Sequence, residues 1–122
     1  MLWTYRAVID RWIDGDTVDV NVDLGFYTWR KERLRLLGSL VGIDAFELRS
    51  RVPGERELAV IGLERARQLA PEGTLVIITT HRRSNGDPRD GFGRFLAQIT
   101  ANGTNVGDTL LAEGLAEPYQ RG

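Results

Sequence analysis

The chain has no cysteine in 122 residues, one histidine and a formal net charge of only −1. Without thiols there is neither a disulfide framework nor a thiolate metal site. A net charge so close to zero argues against a surface coated for non-specific nucleic-acid binding. No apolar run approaches the length of a transmembrane helix, so no membrane partner is expected. Residues Met1 to Asp10 lack the long apolar segment and cleavage site of a secretory signal. The chain is therefore expected to be cytoplasmic, although a secreted form already trimmed of its leader would read identically. The length predicts one domain, residues 1–122, with a single core that needs no staples.

Charge placement is more informative than its sum. Arg30, Lys31, Arg33 and Arg35 form one basic cluster, and Arg82, Arg83, Arg89 and Arg94 another. Such clusters are commonly solvated faces, and Arg30 and Lys31 fit that reading. A small basic groove in a neutral protein suits transient phosphate binding better than tight duplex binding.

Apolar alternation predicts a first strand over 3–13, with Trp3, Tyr5, Ala7 and Ile9 on one side. Thr17 to Leu24 repeats the pattern, with Val18, Val20, Val22 and Leu24 inward. Gly25 marks a turn, from which Phe26 to Trp29 begin the return. A third strand over 30–43 places Arg33 and Arg35 on one face and Leu34 and Leu36 on the other. The period then changes: Leu58, Ala59, Gly62, Leu63, Ala66, Leu69 and Ala70 share the face of a helix over 55–70. Leu75 to Thr80 is a short buried strand, and Arg94 to Thr100 comes after a turn-rich loop. Asn105 caps a last short helix that ends at Gly114. The order predicts a mainly β (α+β) domain, a five-stranded OB-fold Greek-key barrel with two accessory helices.

The chemistry-bearing residues sit at the ends of these strands. Asp14-Gly15-Asp16-Thr17 and Ile43-Asp44-Ala45-Phe46-Glu47 bring carboxylates to a common end, with Arg35 between them. Asp-Gly is also an ordinary hairpin turn, so the first cluster by itself is equally a polar turn tip. Two clusters closing neighbouring strands make a stronger pattern. Carboxylates with a backbone carbonyl suit calcium or magnesium, and an arginine between them suits a phosphate.

Five segments in order resemble the staphylococcal nuclease (thermonuclease) family. They are Ile13 to Val18, Arg33 to Gly38, Gly42 to Glu47, Asp90 to Arg94 and Gly114 to Ala116. The resemblance implies an OB barrel with accessory helices and a calcium-dependent endonuclease. DNA and RNA would be its substrates, single-stranded or frayed preferred, cut to 3′-phosphate ends. It implies that Asp16 and Asp44 hold Ca2+ with the main-chain carbonyl of Ala45, where the family often has Thr. Glu47 would orient or deprotonate the attacking water, and Arg35 and Arg94 would hold the scissile phosphate. Phe92 and Tyr119 would contact substrate. The alternative is a catalytically weakened or silent OB-fold module that binds nucleic acid or a protein partner.

Each residue also has a plainer reading. Arg94 can be a strand-edge arginine, Glu47 a local cap and Asp14 part of a turn; His81 is expected at the surface. Trp3, Trp12 and Trp29 read better as packing than as a base-stacking platform. Three departures from the family bear on function. Gly91 stands where the family commonly has lysine, and Pro118 puts the placement of Tyr119 in question. Between Arg35 and Asp44 the chain has four extra residues, Ser39 to Gly42 or Gly38 to Val41. In a continuous strand these would displace the downstream residues by about 13 Å and put Ser39 in the place of Arg35. Gly38 and Gly42 instead favour a loop that keeps Arg35 at the site. Leu40 and Val41 would then need a neighbour or a second chain to pack on, so a monomer is expected, with a dimer formed through 39–42 as the variant.

Overall fold

A computed structural model describes residues 3–40, 42–83 and 85–118. Strand β1 (Trp3–Asp14) lies between β2 (Thr17–Asp23) and β5 (Leu75–His81), antiparallel to both. Strand β3 (Trp29–Leu36) pairs antiparallel with β2, and β6 (Phe95–Ala101) pairs antiparallel with β5. Parallel pairing of β3 with β6, from Leu34↔Phe95 to Leu36↔Ala97, closes the barrel. The result is the expected five-stranded OB-type barrel. Helix α1 (Glu55–Leu69) precedes the fourth barrel strand, and α2 (Val106–Ala112) comes after the fifth. A two-residue strand β7 (Thr104–Asn105) leads into α2.

The alternation in the sequence fills the interior. Ala7, Ile9, Val18, Val20, Leu34, Leu36, Val76, Ile78, Ala97 and Ile99 are all buried. A register shift between Ile9 and Arg11 breaks the alternation in β1, turning Trp12 inward in place of Arg11. The Trp12 indole then donates to the carbonyl of Ala70, at 2.9 Å, at the end of α1.

Helix α1 buries only small residues, Ala59, Gly62 and Ala66. These let it approach the β1–β2 turn closely: a Cβ on Gly15 would lie 3.7 Å from the carbonyl carbon of Gly62 and 3.0 Å from the Ala45 Cβ, and one on Gly62 3.3 Å from the Leu115 carbonyl oxygen. Helix, turn and site backbone thus meet at one tight junction.

Three segments differ from expectation. Phe26 and Tyr27 belong to the turn and not to the returning strand. Both adopt left-handed backbone, φ 53° and 58°, and both are fully exposed. Hydrogen bonds from Thr28 N to Gly25 O and from Leu24 N to Thr28 O close the turn around them. The third strand stops at Leu36 instead of running to Ile43. Leu37 and Gly42 bridge each other, and the extra residues leave as a loop. Finally, β4 (Ile43–Ala45) pairs antiparallel with a strand not foreseen, β8 (Ala116–Pro118), in a separate two-stranded ladder. No helix among the described residues is long and apolar enough to cross a membrane.

Candidate nuclease site

The β1–β2 turn places Asp16 at one wall of a cavity of about 470 Å³. Asp16 is buried, and its two carboxylate oxygens are committed to different neighbours. Oδ1 accepts from the Thr17 hydroxyl at 3.1 Å, and Oδ2 accepts from the Ala45 amide at 2.9 Å. Asp14 Oδ1 accepts from the Asp16 amide at 3.1 Å, tightening the turn. Burial, followed by the hydrogen bond with the Asp14 side chain, raises the Asp16 pKa from 3.8 to about 6, against the opposing charge of Arg35.

Arg35 faces Asp16 from near the end of β3, opposite Thr17. Its Nη1 lies 3.1 Å from Asp16 Oδ2. Its Nη2 donates to the Ile43 carbonyl at 2.6 Å and makes a short contact with Asp44 Oδ1. One guanidinium therefore joins both carboxylates expected to serve as metal ligands. The loop is what permits this. Ser39 does not replace Arg35; its amide donates to Asp108 Oδ1 at 2.7 Å, pinning the loop to the start of α2. Leu40 is almost fully exposed, and Val41 lies outside the described residues.

Arg94 reaches the same wall from the other side. Asp90 Oδ2 accepts from its Nε at 2.6 Å, and the Thr17 hydroxyl accepts from its Nη1 at 2.9 Å. Asp90 is itself held by the backbone: its Oδ1 accepts from the amides of Phe92, at 2.8 Å, and Arg94, at 3.0 Å. Burial works to raise the Asp90 pKa, but these amides and the Arg94 charge outweigh it and the net shift is downward. The Phe92 ring lies 5.3 Å from the Arg94 guanidinium carbon and is largely exposed.

Asp16, Arg35, Asp44, Ala45, Glu47, Phe92 and Arg94 thus all line one cavity. Glu47 is exposed there. Tyr119 lies outside the described residues. His81 is not at the cavity; it is half-buried beside Gln98, whose Nε2 lies 2.7 Å from the His81 Nε2, and burial lowers its pKa. Four participants carried no assignment in the sequence. Thr17 links Arg94 to Asp16, Asp90 aims Arg94, and Glu55 and Glu117 add carboxylates to the lining. Thr17 and Asp90 stand inside the motifs already noted, which is the only sequence signal for them.

No protein-family model matches the chain. It is 32% identical over 111 residues to endonuclease YncB of Bacillus subtilis (strain 168), covering 91% of this chain and 46% of the relative. It is also 32% identical over 110 residues to the SPbeta prophage-derived endonuclease YokF of the same organism, covering 90% of this chain and 33% of that relative. These likenesses support the resemblance to the staphylococcal nuclease family. It spans less than half the length of the curated relatives it matches. The barrel order and the position of the acidic turn agree with that family's expected architecture.

Proposed function

We propose that this chain is a calcium-dependent endonuclease that hydrolyses phosphodiester bonds of DNA and RNA, leaving 3′-phosphate ends. The observation that carries the reading is the convergence of Asp16, Asp44 and Glu47 with Arg35 and Arg94 on one cavity. The names of the two endonuclease relatives support it.

The donor set fits a hard cation. Six carboxylate residues line the cavity (Asp14, Asp16, Asp44, Glu47, Glu55 and Glu117) against two arginines, Arg35 and Arg94. Among the described residues no three acidic or histidine side chains form a ready metal cage. Asp16 and Asp44 would therefore hold calcium with the Ala45 carbonyl and water, a set of oxygen ligands that favours calcium over zinc. When bound, the ion supplies Lewis-acid stabilisation of charge on the phosphate.

The protein's own groups do the rest. Arg94, aimed by Asp90 and Thr17, offers a fixed guanidinium to the equatorial oxygens as they gain charge. Arg35 stands between the two carboxylates and would add a second. Glu47, exposed at the cavity, would take a proton from the attacking water. Water oxygen bonds to phosphorus as the bond to the 5′ oxygen breaks, the 5′ oxygen takes up a proton from solvent to leave as a hydroxyl, and the phosphate remains on the 3′ side.

Digestion of plasmid and single-stranded DNA, with calcium or with chelator, tests the reading. Cleavage should require calcium; Asp16→Ala should abolish calcium binding and cleavage, and Arg35→Ala should nearly abolish cleavage. Full cleavage by extensively chelated protein would rule the mechanism out. One observation favours the alternative of a silent binding module: Arg35 already neutralises both candidate ligands. Nucleic-acid binding with no cleavage in saturating calcium would select that reading.

A further inference from the structure

The one histidine of the chain, at the end of β5, closes a continuous series of side-chain hydrogen bonds that begins at α2. Asn105 caps the helix: its Oδ1 accepts from the Asp108 amide at 3.0 Å. Its Nδ2 donates to Gln98 Oε1, also at 3.0 Å, and Gln98 Nε2 lies 2.7 Å from His81 Nε2. Asp108 in turn holds the loop between β3 and β4, since its Oδ1 accepts from the Ser39 amide at 2.7 Å.

The direction of every bond in the series follows from one atom. A backbone N–H can only donate, so the Asn105 atom that faces Asp108 N is oxygen and the other is the NH2. The Gln98 atom that receives this NH2 is then oxygen, and Gln98 presents its own NH2 to the ring. His81 Nε2 must accept, which fixes a neutral imidazole with its proton on Nδ1. Protonation adds an N–H at Nε2, and two donors then meet.

The side chains can only pass this conflict along. An imidazolium gains a charge-assisted bond, roughly twice as strong as a neutral one, if Gln98 turns its oxygen to the ring. The turned amide sets its NH2 against that of Asn105. If Asn105 turns as well, its NH2 meets the Asp108 amide, the one donor in the series that cannot turn. The cap is then lost, and with it the fixed placing of the carboxylate that holds Ser39.

The surroundings offer an imidazolium no other partner. On β6, His81 stands beside Leu96 and Gln98, neither of them titratable. Of the charged residues that follow it, Arg82 lies over the Trp3 ring and donates to the Gly86 carbonyl, and Arg83 is a second cation. The Asp108 carboxylate is turned to Ser39. Burial alone accounts for the lowered pKa of His81, so the neutral, capped form prevails at neutral pH.

We propose that His81 is a proton-sensing latch, which on protonation uncaps α2 and loosens the 37–42 loop joining the strand of Arg35 to that of Asp44. The inference goes beyond the nuclease reading and does not depend on it. A base whose folded pKa is depressed contributes stability above its unfolded value of 6.5, and that contribution is lost as pH falls towards the folded value.

Nuclear magnetic resonance of metal-free protein between pH 7.5 and 4.5 provides the test, and a single histidine makes its carbon-bound ring proton an unambiguous reporter. The amides of Asp108 and Ser39 should shift with the ring's midpoint, below 6.5. Hydrogen-exchange protection of Asp108, relative to Val20 in the barrel, should fall about tenfold as the ring is protonated, the size of effect that loss of a cap produces. Gln98→Glu offers only acceptors, to Asn105 and to the ring alike. It should raise the His81 pKa above 6.5 and leave Asp108 protected throughout the titration. In Gln98→Met the ring should still titrate while Asp108 no longer follows it. Asp108 and Ser39 amides that stay unmoved through the parent's His81 titration would overturn the proposal, because the ring would then simply swing into solvent. An unchanged His81 pKa in folded Gln98→Glu protein would overturn it equally.

Discussion

Asp16 links the physics of the site to the stability of the chain. Its folded pKa of about 6 exceeds the ordinary 3.8, so between these values the folded state binds more protons than the unfolded one. Stability contributed by the protonated group is therefore full below about pH 4 and is lost as pH rises to about 6. At about 1.4 kcal/mol per pH unit, the loss is on the order of 3 kcal/mol. Urea unfolding of metal-free protein from pH 4 to 7 should show this decline, and Asp16→Asn should flatten it. Asp19 and Asp90 act in the opposite direction. Arg33 lowers the pKa of Asp19, and backbone amides with Arg94 lower that of Asp90, so their contribution disappears only as pH falls below about 4. Glu47 is exposed, and its expected role is chemical and not structural. Glu47→Gln should cut turnover by roughly 10²–10⁴ while affinity for a substrate analogue stays similar. Parental turnover in that variant would remove Glu47 from the mechanism. The candidate ligands and arginines were legible in the sequence because they close strands in ordered motifs. Thr17 and Asp90 were not: Thr17 acts through Arg94, a residue brought near only by folding, and Asp90 reads locally as just another turn aspartate.

Among the elements, strands with clean alternation were readable, whereas those that depend on a partner were not. Thr17 to Asp23 needs nothing beyond its own pattern to declare an inward face. Ala116–Pro118 has three residues, one of them a proline, and becomes a strand only because Ile43–Ala45 offers it a free edge. The end of β3 at Leu36 was signalled by Gly38 and Gly42, but its cause lies elsewhere in the fold. Gly107, inside α2, has no room for a side chain: a Cβ there would lie 2.4 Å from the Leu37 carbonyl oxygen. The helix thus presses on the point where the loop leaves the barrel, next to the bond from Ser39 N to Asp108. Glycine to alanine inside a helix ordinarily stabilises, by up to about 1 kcal/mol. Here the clash should reverse the sign, so that Gly107→Ala destabilises by about 1–3 kcal/mol in chemical denaturation. A stabilised variant would show that α2 and the loop can move apart freely.

At the scale of the whole molecule, a net charge of −1 conceals a division between an acidic cavity and arginines around its border. Few phosphates can be contacted at once. If about three are, the logarithm of affinity for single strands should fall with the logarithm of salt concentration with a slope of roughly −2. A much steeper slope, measured by anisotropy over a salt series, would mean a wider charged surface than the acidic cavity and its arginines provide. The β4–β8 ladder also has a bearing on when the molecule becomes competent. Asp44 stands on β4 opposite Glu117, so one candidate ligand depends on a strand synthesised after every strand of the barrel. All five barrel strands precede it in the chain, and domains begin to fold from the N-terminal side as they emerge. A ribosome-bound chain that has not yet exposed Ala116–Pro118 can close its barrel while β4 still lacks its partner. That order of assembly would leave the Asp44 position unset in a nascent barrel that is otherwise closed, so the site would be completed after the fold that carries it.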